Sequence, residues 1–157
     1  MTNEKKQEFT RRISQANKTQ LTVIVLQMVE TYIEDAMEVW ETDQVAYRQA
    51  IKRADACLVY LQQTLDFRFP IAGDLFSLYQ YAIKQLMYAD IKRDMAACKK
   101  AKKLMEKMIA DFEVISEMDT SEPIMENAQQ LYAGFTYGSN GASLDMVSGD
   151  ASRGFLA

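Results

Sequence analysis

A chain of 157 residues, 48% of them apolar, has room for one domain with a substantial core. Its net charge of −4, from 18 basic and 22 acidic residues, argues against nucleic acid as the main partner. It has no histidine, which excludes Ser–His and Cys–His nucleophile systems and the Glu-x-x-His pairs of di-iron bundles.

The first residues, Met1-Thr-Asn-Glu-Lys-Lys, precede no hydrophobic stretch, so no secretory signal is expected. Phe9 and Ile13 are four apart, so a single helical turn puts both on one side. Asn17 with Gln20 reads as a capping box that opens a long helix. Breaks at 41–43, 67–73 and 89–93 then divide the chain into four predicted helices near Asn17–Trp40, Asp43–Asp66, Ile71–Ala89 and Lys92–Glu117. Thr42 or Asp43 can cap the second, and Pro70 suits the start of the third. Short connections force consecutive helices antiparallel. The expected fold is therefore all-α: an antiparallel up-down four-helix bundle over 17–118, with a short N-terminal capping segment over 1–16. From Gly134 onward glycine mixes with Ser, Asn and Asp, so 119–157 reads as an acidic, Gly/Ser-rich, flexible C-terminal extension. Within it Met125–Tyr132 reads as a weak helix, and Phe135, Tyr137, Leu144, Met146, Phe155 and Leu156 are isolated apolar anchors.

Each predicted helix carries an apolar stripe. The first offers Leu21, Ile24, Val25, Met28, Tyr32 and Val39, and the second Tyr47, Ile51, Ala54, Leu58 and Leu65. The third offers Leu75, Leu78, Tyr79, Ala82, Leu86 and Ala89, and the fourth Met95, Cys98, Met105, Ile109 and Phe112. A second arc lies a quarter turn away: Leu26, Val29, Ile33, Met37 and Trp40 on the first helix, Ala46, Ala50, Cys57 and Leu61 on the second, and Phe76, Ile83 and Met87 on the third. Such a surplus either closes the bundle at its corners or leaves a groove for a partner helix. The lysines at 92, 99, 100, 103 and 107 read as a solvated face, and Cys57 and Cys98 as reduced, buried residues. No apolar run is long enough for membrane insertion. No cofactor or metal site is indicated; Asp35 and Asp94 are the only acids near core stripes, at different levels.

The run Leu65-Asp66, Ile71-Ala72, Leu75, Leu78-Tyr79-x-Tyr81, Leu86, Ala89 and Asp94 resembles the third helix and flanks of the FliS family of flagellin-specific export chaperones. That helix reads I-A-x-x-L-x-x-L-Y-x-Y in the family. Ala16-Asn17-Lys18-Thr19-Gln20-Leu21 stands where the family has A-S-P-E-x-L, with Lys18 in place of its proline. Asp90 replaces a usual Asn, and Leu26-Gln27-Met28 a usual Tyr-Asp-Gly. The resemblance covers roughly residues 9–115.

The resemblance implies a non-enzymatic cytoplasmic chaperone without cofactor or metal. Such a protein binds the C-terminal region of flagellin, prevents premature polymerisation and delivers it to the type III export apparatus, where an export gate component is a further partner. It also implies that the N-terminal segment rests on the bundle until the client arrives. Flagellin binding is then expected at Phe9 and Ile13, and on the rotated arcs at Val29, Ile33, Leu61, Phe76, Ile83 and Met87, each partly exposed before binding. The competing reading is a structural or adaptor bundle that self-associates through the same arcs.

Overall fold

Helix starts in this chain are set by side chains that accept the otherwise unpaired amides of a first turn. In a computed structural model, which describes residues 1–125, five helices form: α1 (Asn3–Ser14), α2 (Lys18–Glu38), α3 (Gln44–Gln63), α4 (Ile71–Lys92) and α5 (Met95–Met118). No strand occurs among the described residues. Thr2 caps α1, and Asn17 and Gln20 form the reciprocal capping box of α2, with bonds of 2.8 and 3.0 Å. Asp43, rather than Thr42, caps α3 through Val45 and Ala46. Pro70 precedes α4 without a side-chain cap.

Several boundaries differ from expectation: α2 ends at Glu38 rather than Trp40 and α3 at Gln63 rather than Asp66. α4 runs on to Lys92 because Arg93 takes the left-handed conformation, φ 50°, that ends it. Asp94 then accepts from Ala96 and Ala97, so α5 begins at Met95 and not at Lys92. The expected N-terminal turn is a 12-residue helix, α1, packed against α2. The expectations for the segment beyond residue 125, including its helix and apolar anchors, lie outside the described residues.

Around the core, α2 packs on α3 and α5, and α4 on the same two helices. At one end Trp40 meets Tyr47 edge-on, with ring centroids 5.1 Å apart, and the Tyr47 hydroxyl donates to Ala89 O at 2.8 Å. The end of α2, start of α3 and end of α4 therefore meet there, with Cys98 of α5 beside Tyr47. At the opposite end the Asn17 side chain donates to Asp119 O, and the Ile124 amide to Ala16 O. Successive helices among α2–α5 thus reverse direction. The small residues Ala54, Ala82, Ala89 and Ala101 are fully buried, which lets the helices approach closely around Leu26, Leu58, Leu86 and Met105.

The arcs on α2 are not divided as the stripes suggested. Val29, Ile33 and Leu26 are completely buried, while Leu21, Met28 and Val39 are only partly so. The reason is geometric: α2 is flanked by α3, α5 and α1, so its centre faces the core and its nominal core stripe extends toward α1. On α4, Leu78 is exposed and leaves the expected stripe. The five lysines at 92, 99, 100, 103 and 107 face solvent.

Gly73 occupies the first turn of α4, where a Cβ would meet nothing within 4 Å. Gly73→Ala is expected to stabilise the fold by about 0.5–1 kcal/mol, by restricting the unfolded chain. A thermal melt checks this; a lower Tm would mean that the start of α4 is not helical as described.

Candidate functional site: an apolar face on α4 and its leading turn

The α3–α4 connection reads Leu65-Asp66-Phe67-Arg68-Phe69-Pro70-Ile71. The Asp66 carboxylate accepts from the Arg68 amide at 3.0 Å and from its guanidinium at 2.9 Å, which locks a tight turn. These hydrogen bonds hold the Asp66 carboxyl below the usual carboxylate range. The turn is closed further by the Phe69 amide donating to Asp66 O at 3.1 Å. Held this way, Phe67, Phe69 and Ile71 each stand more than half exposed. Large apolar groups normally reach such exposure singly, not as a run of three.

The run continues onto α4. The Phe67 and Phe76 rings lie 6.0 Å apart, inclined at 60°. From Phe76 the same face carries half-buried Ile83 and exposed Met87. Beside the turn lies an open cavity of about 180 Å³, with Leu61, Phe69, Ile71, Leu75 and Phe112 in its wall. Among the described residues α4 packs chiefly on α3 and α5, and these side chains lie on the part of its surface that those two helices leave uncovered.

The eight sequence-derived positions do not form one surface. Phe76, Ile83 and Met87 lie together on α4. Val29, Ile33 and Leu61 are core residues, at most 2% exposed, so the expectation that they are partly exposed is corrected. Phe9 is buried and Ile13 partly so, in a separate cluster with Ala16 of the α1–α2 connection and with Leu21, Ile24 and Met28 of α2. Arg12 supports that cluster: its guanidinium stands 5.8 Å from the Phe9 ring centre and donates to Gln27, which in turn donates to Glu113. The Met1 amino group pairs with Asp35 of α2. Periodicity does not reveal Phe67, Phe69 and Ile71, because a turn has no helical period to read. The available signal is three large apolar residues alternating with Arg68 and Pro70.

The two acids near the core stripes have structural partners. Asp35 meets the Met1 amino group, and Asp94 caps α5. No group of three or more acidic or thiol side chains is gathered for a metal among the described residues. None of the described helices is long and apolar enough to cross a membrane. Burial pushes the Cys57 and Cys98 thiols upward, which favours their protonated form.

Among the described residues, fold and face together define an all-helical protein with exposed apolar side chains on one helix and its leading turn. A family model described as Flagellar protein FliS matches residues 1–119, and the chain belongs to that family. A search of curated proteins returned no significant match.

Proposed function

We propose that the chain is a cytoplasmic chaperone that binds the C-terminal region of flagellin, prevents its premature polymerisation and passes it to the flagellar type III export apparatus. The single observation that carries this reading beyond family membership is the group of large apolar side chains left exposed at the start and along one side of α4: Phe67, Phe69, Ile71, Phe76 and Met87. A polymerisation segment with an apolar helical side self-assembles unless that side is covered. A helix laid on α4 covers it without any covalent chemistry. In this reading residues 17–118 are an antiparallel up-down bundle that serves as the scaffold, 1–16 cap it and 119–157 extend it. The α1 anchors Phe9 and Ile13 hold ground on α2 that a longer client can compete for.

Calorimetric titration with purified flagellin, and with flagellin lacking its C-terminal segment, tests the reading. Tight binding of the first alone supports it; equal or absent binding refutes it. Phe76→Asp and Met87→Asp are each expected to weaken binding at least tenfold. Each removes a side chain whose burial contributes roughly 1.5–3 kcal/mol, and about 1.4 kcal/mol is tenfold in affinity. Met87 is about half exposed in the free protein, so Met87→Asp is expected to move Tm little, whereas Phe76→Asp, at a residue 37% exposed and packed on Phe67, is expected to lose some stability as well. The same face also suits self-association. Light scattering of the protein alone separates the two readings: a monomer supports the chaperone, and a stable oligomer broken by Met87→Asp supports the adaptor.

A further inference from the structure

The chain carries a net charge of −4, yet eight of its 18 basic residues fall between positions 84 and 107, among only three acids. Those acids are occupied elsewhere: Asp90 lies 3.5 Å from Arg48 of α3, Asp94 caps α5, and Glu106 meets Lys102 at 3.3 Å. Lys84, Lys92, Lys99, Lys100, Lys103 and Lys107 are all exposed and make no ion pair among the described residues. Two contacts set the register of the antiparallel pair α4–α5. The Tyr47 hydroxyl touches both Ala89 O and Cys98 Sγ, and Leu75 and Phe112 share a cavity wall. Lys84 is therefore level with Lys103, and Tyr88 with Lys99. On α5, Lys99, Lys103 and Lys107 follow four apart on the side away from buried Ala101 and Met105. On α4, the Lys84 and Lys92 ammonium groups lie 5.9 and 5.1 Å from the Tyr88 ring centre. Ile91, one heptad beyond Lys84 and so on the same line of the helix, is 71% exposed and belongs neither to the core nor to the side of Phe76 and Met87.

Like charges four apart on a helix oppose its formation, so this lysine row costs the free protein stability that a mixed row would not. An anionic surface laid against it removes that repulsion. We infer that the outer face of α4 and α5 docks on an anionic lipid surface. Charge complementarity fixes the sign of the partner, and the make-up of the face fixes its class. The unpaired cations are all lysines, which act as point charges. The one arginine nearby, Arg93, is engaged: its guanidinium lies 5.1 Å from the Trp40 ring centre and donates to Trp40 O. The planar forks that read phosphates or carboxylates two bonds at a time are therefore missing from the face. An exposed isoleucine among lysines finds nothing to bury it on a phosphate backbone or an acidic chain. Against a bilayer Ile91 enters the boundary between headgroups and acyl chains, Tyr88 sits at headgroup level, and the lysine stems lie along it with their charges at the lipid phosphates. The remainder of the chain is acidic, so repulsion holds its other faces away and orients the protein. This is association with a surface, not insertion, and it leaves the side chains of Phe67, Phe69 and Phe76 free for a client.

The test is co-sedimentation of the full chain with vesicles of phosphatidylglycerol in phosphatidylcholine, and with vesicles of phosphatidylcholine alone. Binding is expected to the first and not the second at about 0.1 M salt, and to be lost at about 1 M, where charges are screened within about 3 Å. Lys99→Glu with Lys103→Glu is expected to weaken binding at least tenfold, and Ile91→Ser severalfold. All three positions are exposed, so Tm is expected to hold; if the glutamate pair unfolds the chain, Lys84→Gln with Lys92→Gln takes its place with the same expectation. No binding to the anionic vesicles, or equal binding to both kinds, overturns the inference. So does vesicle binding that neither lysine pair weakens. Polyglutamate separates a lipid from an acidic polypeptide: if the chain binds it as tightly as the vesicles and Ile91→Ser changes neither, the face takes an acidic chain and the lipid assignment is overturned.

Discussion

Ile33→Ala is expected to lower Tm by on the order of 10 °C, whereas Met87→Ala will shift it by no more than a degree or two. Ile33 is completely buried in α2, at the level where Tyr32 packs against Arg53 of α3 and Glu34 pairs with Lys102 of α5. Truncating it removes three carbons from a close-packed interior that can only partly relax. Such changes cost about 2–5 kcal/mol, a large fraction of the roughly 5–15 kcal/mol that hold a domain folded. Met87 already meets water in the free protein, so its removal leaves no cavity. Urea denaturation of both variants measures the contrast directly, through the midpoint at constant slope. Equal losses would mean that Ile33 is not at the centre of the core. The contrast matters for the function, because the sequence alone puts both positions in the client site and only Met87 is exposed.

That divergence shows where sequence periodicity stops being informative. Asn17 with Gln20, Asp43 and Asp94 encode helix starts in one side chain each, and for two of them local chemistry suffices: the capping box and Asp43 are legible. The start at Asp94 is not, because it depends on Arg93 adopting positive φ, for which no glycine gives warning. The apolar period of α2 is equally visible, but its orientation is not. A helix with neighbours on three sides is apolar around most of its circumference, and period alone cannot say which arc faces inward. Val29 and Ile33 look like surplus in the sequence and are core in the fold. Among the described residues α4 packs chiefly on α3 and α5, and there the surplus arc of Phe76 and Met87 is exposed, as its period suggests. The turn aromatics Phe67 and Phe69 need the Asp66–Arg68 clamp to be seen as a platform, and no spacing rule contains it.

Above pH 10 the fold is expected to lose stability steeply, because two buried phenols must keep their protons to stay inside. Tyr79 is 1% exposed, and burial pushes its hydroxyl up to about 12. Tyr47 is shifted further the same way, first by burial and then by neighbouring Cys98 and Asp90, with Arg93 opposing. For both, the folded protein holds the proton more tightly than the unfolded chain, whose tyrosines titrate near 10. The stabilisation is therefore fully present below pH 10. It is lost as pH rises toward the folded value, because only the unfolded chain gives up its protons in that window. Each tenfold difference in proton affinity between the two states is worth about 1.4 kcal/mol, so Tyr79 alone accounts for about 2–3 kcal/mol between pH 10 and pH 12. The raised thiols of Cys57 and Cys98 act in the same direction from about pH 9. Chemical denaturation at a series of pH values reads the slope. Tyr79→Phe is expected to flatten it by one tyrosine's share with little change at neutral pH, since its hydroxyl makes no hydrogen bond among the described residues. Tyr47→Phe is expected to flatten it too, but at a loss of about 1–2 kcal/mol at every pH, because the hydroxyl's bond to Ala89 O at 2.8 Å disappears. A slope above pH 10 that neither substitution changes would show that these phenols are reached by solvent and that the α3–α4 packing is looser than described.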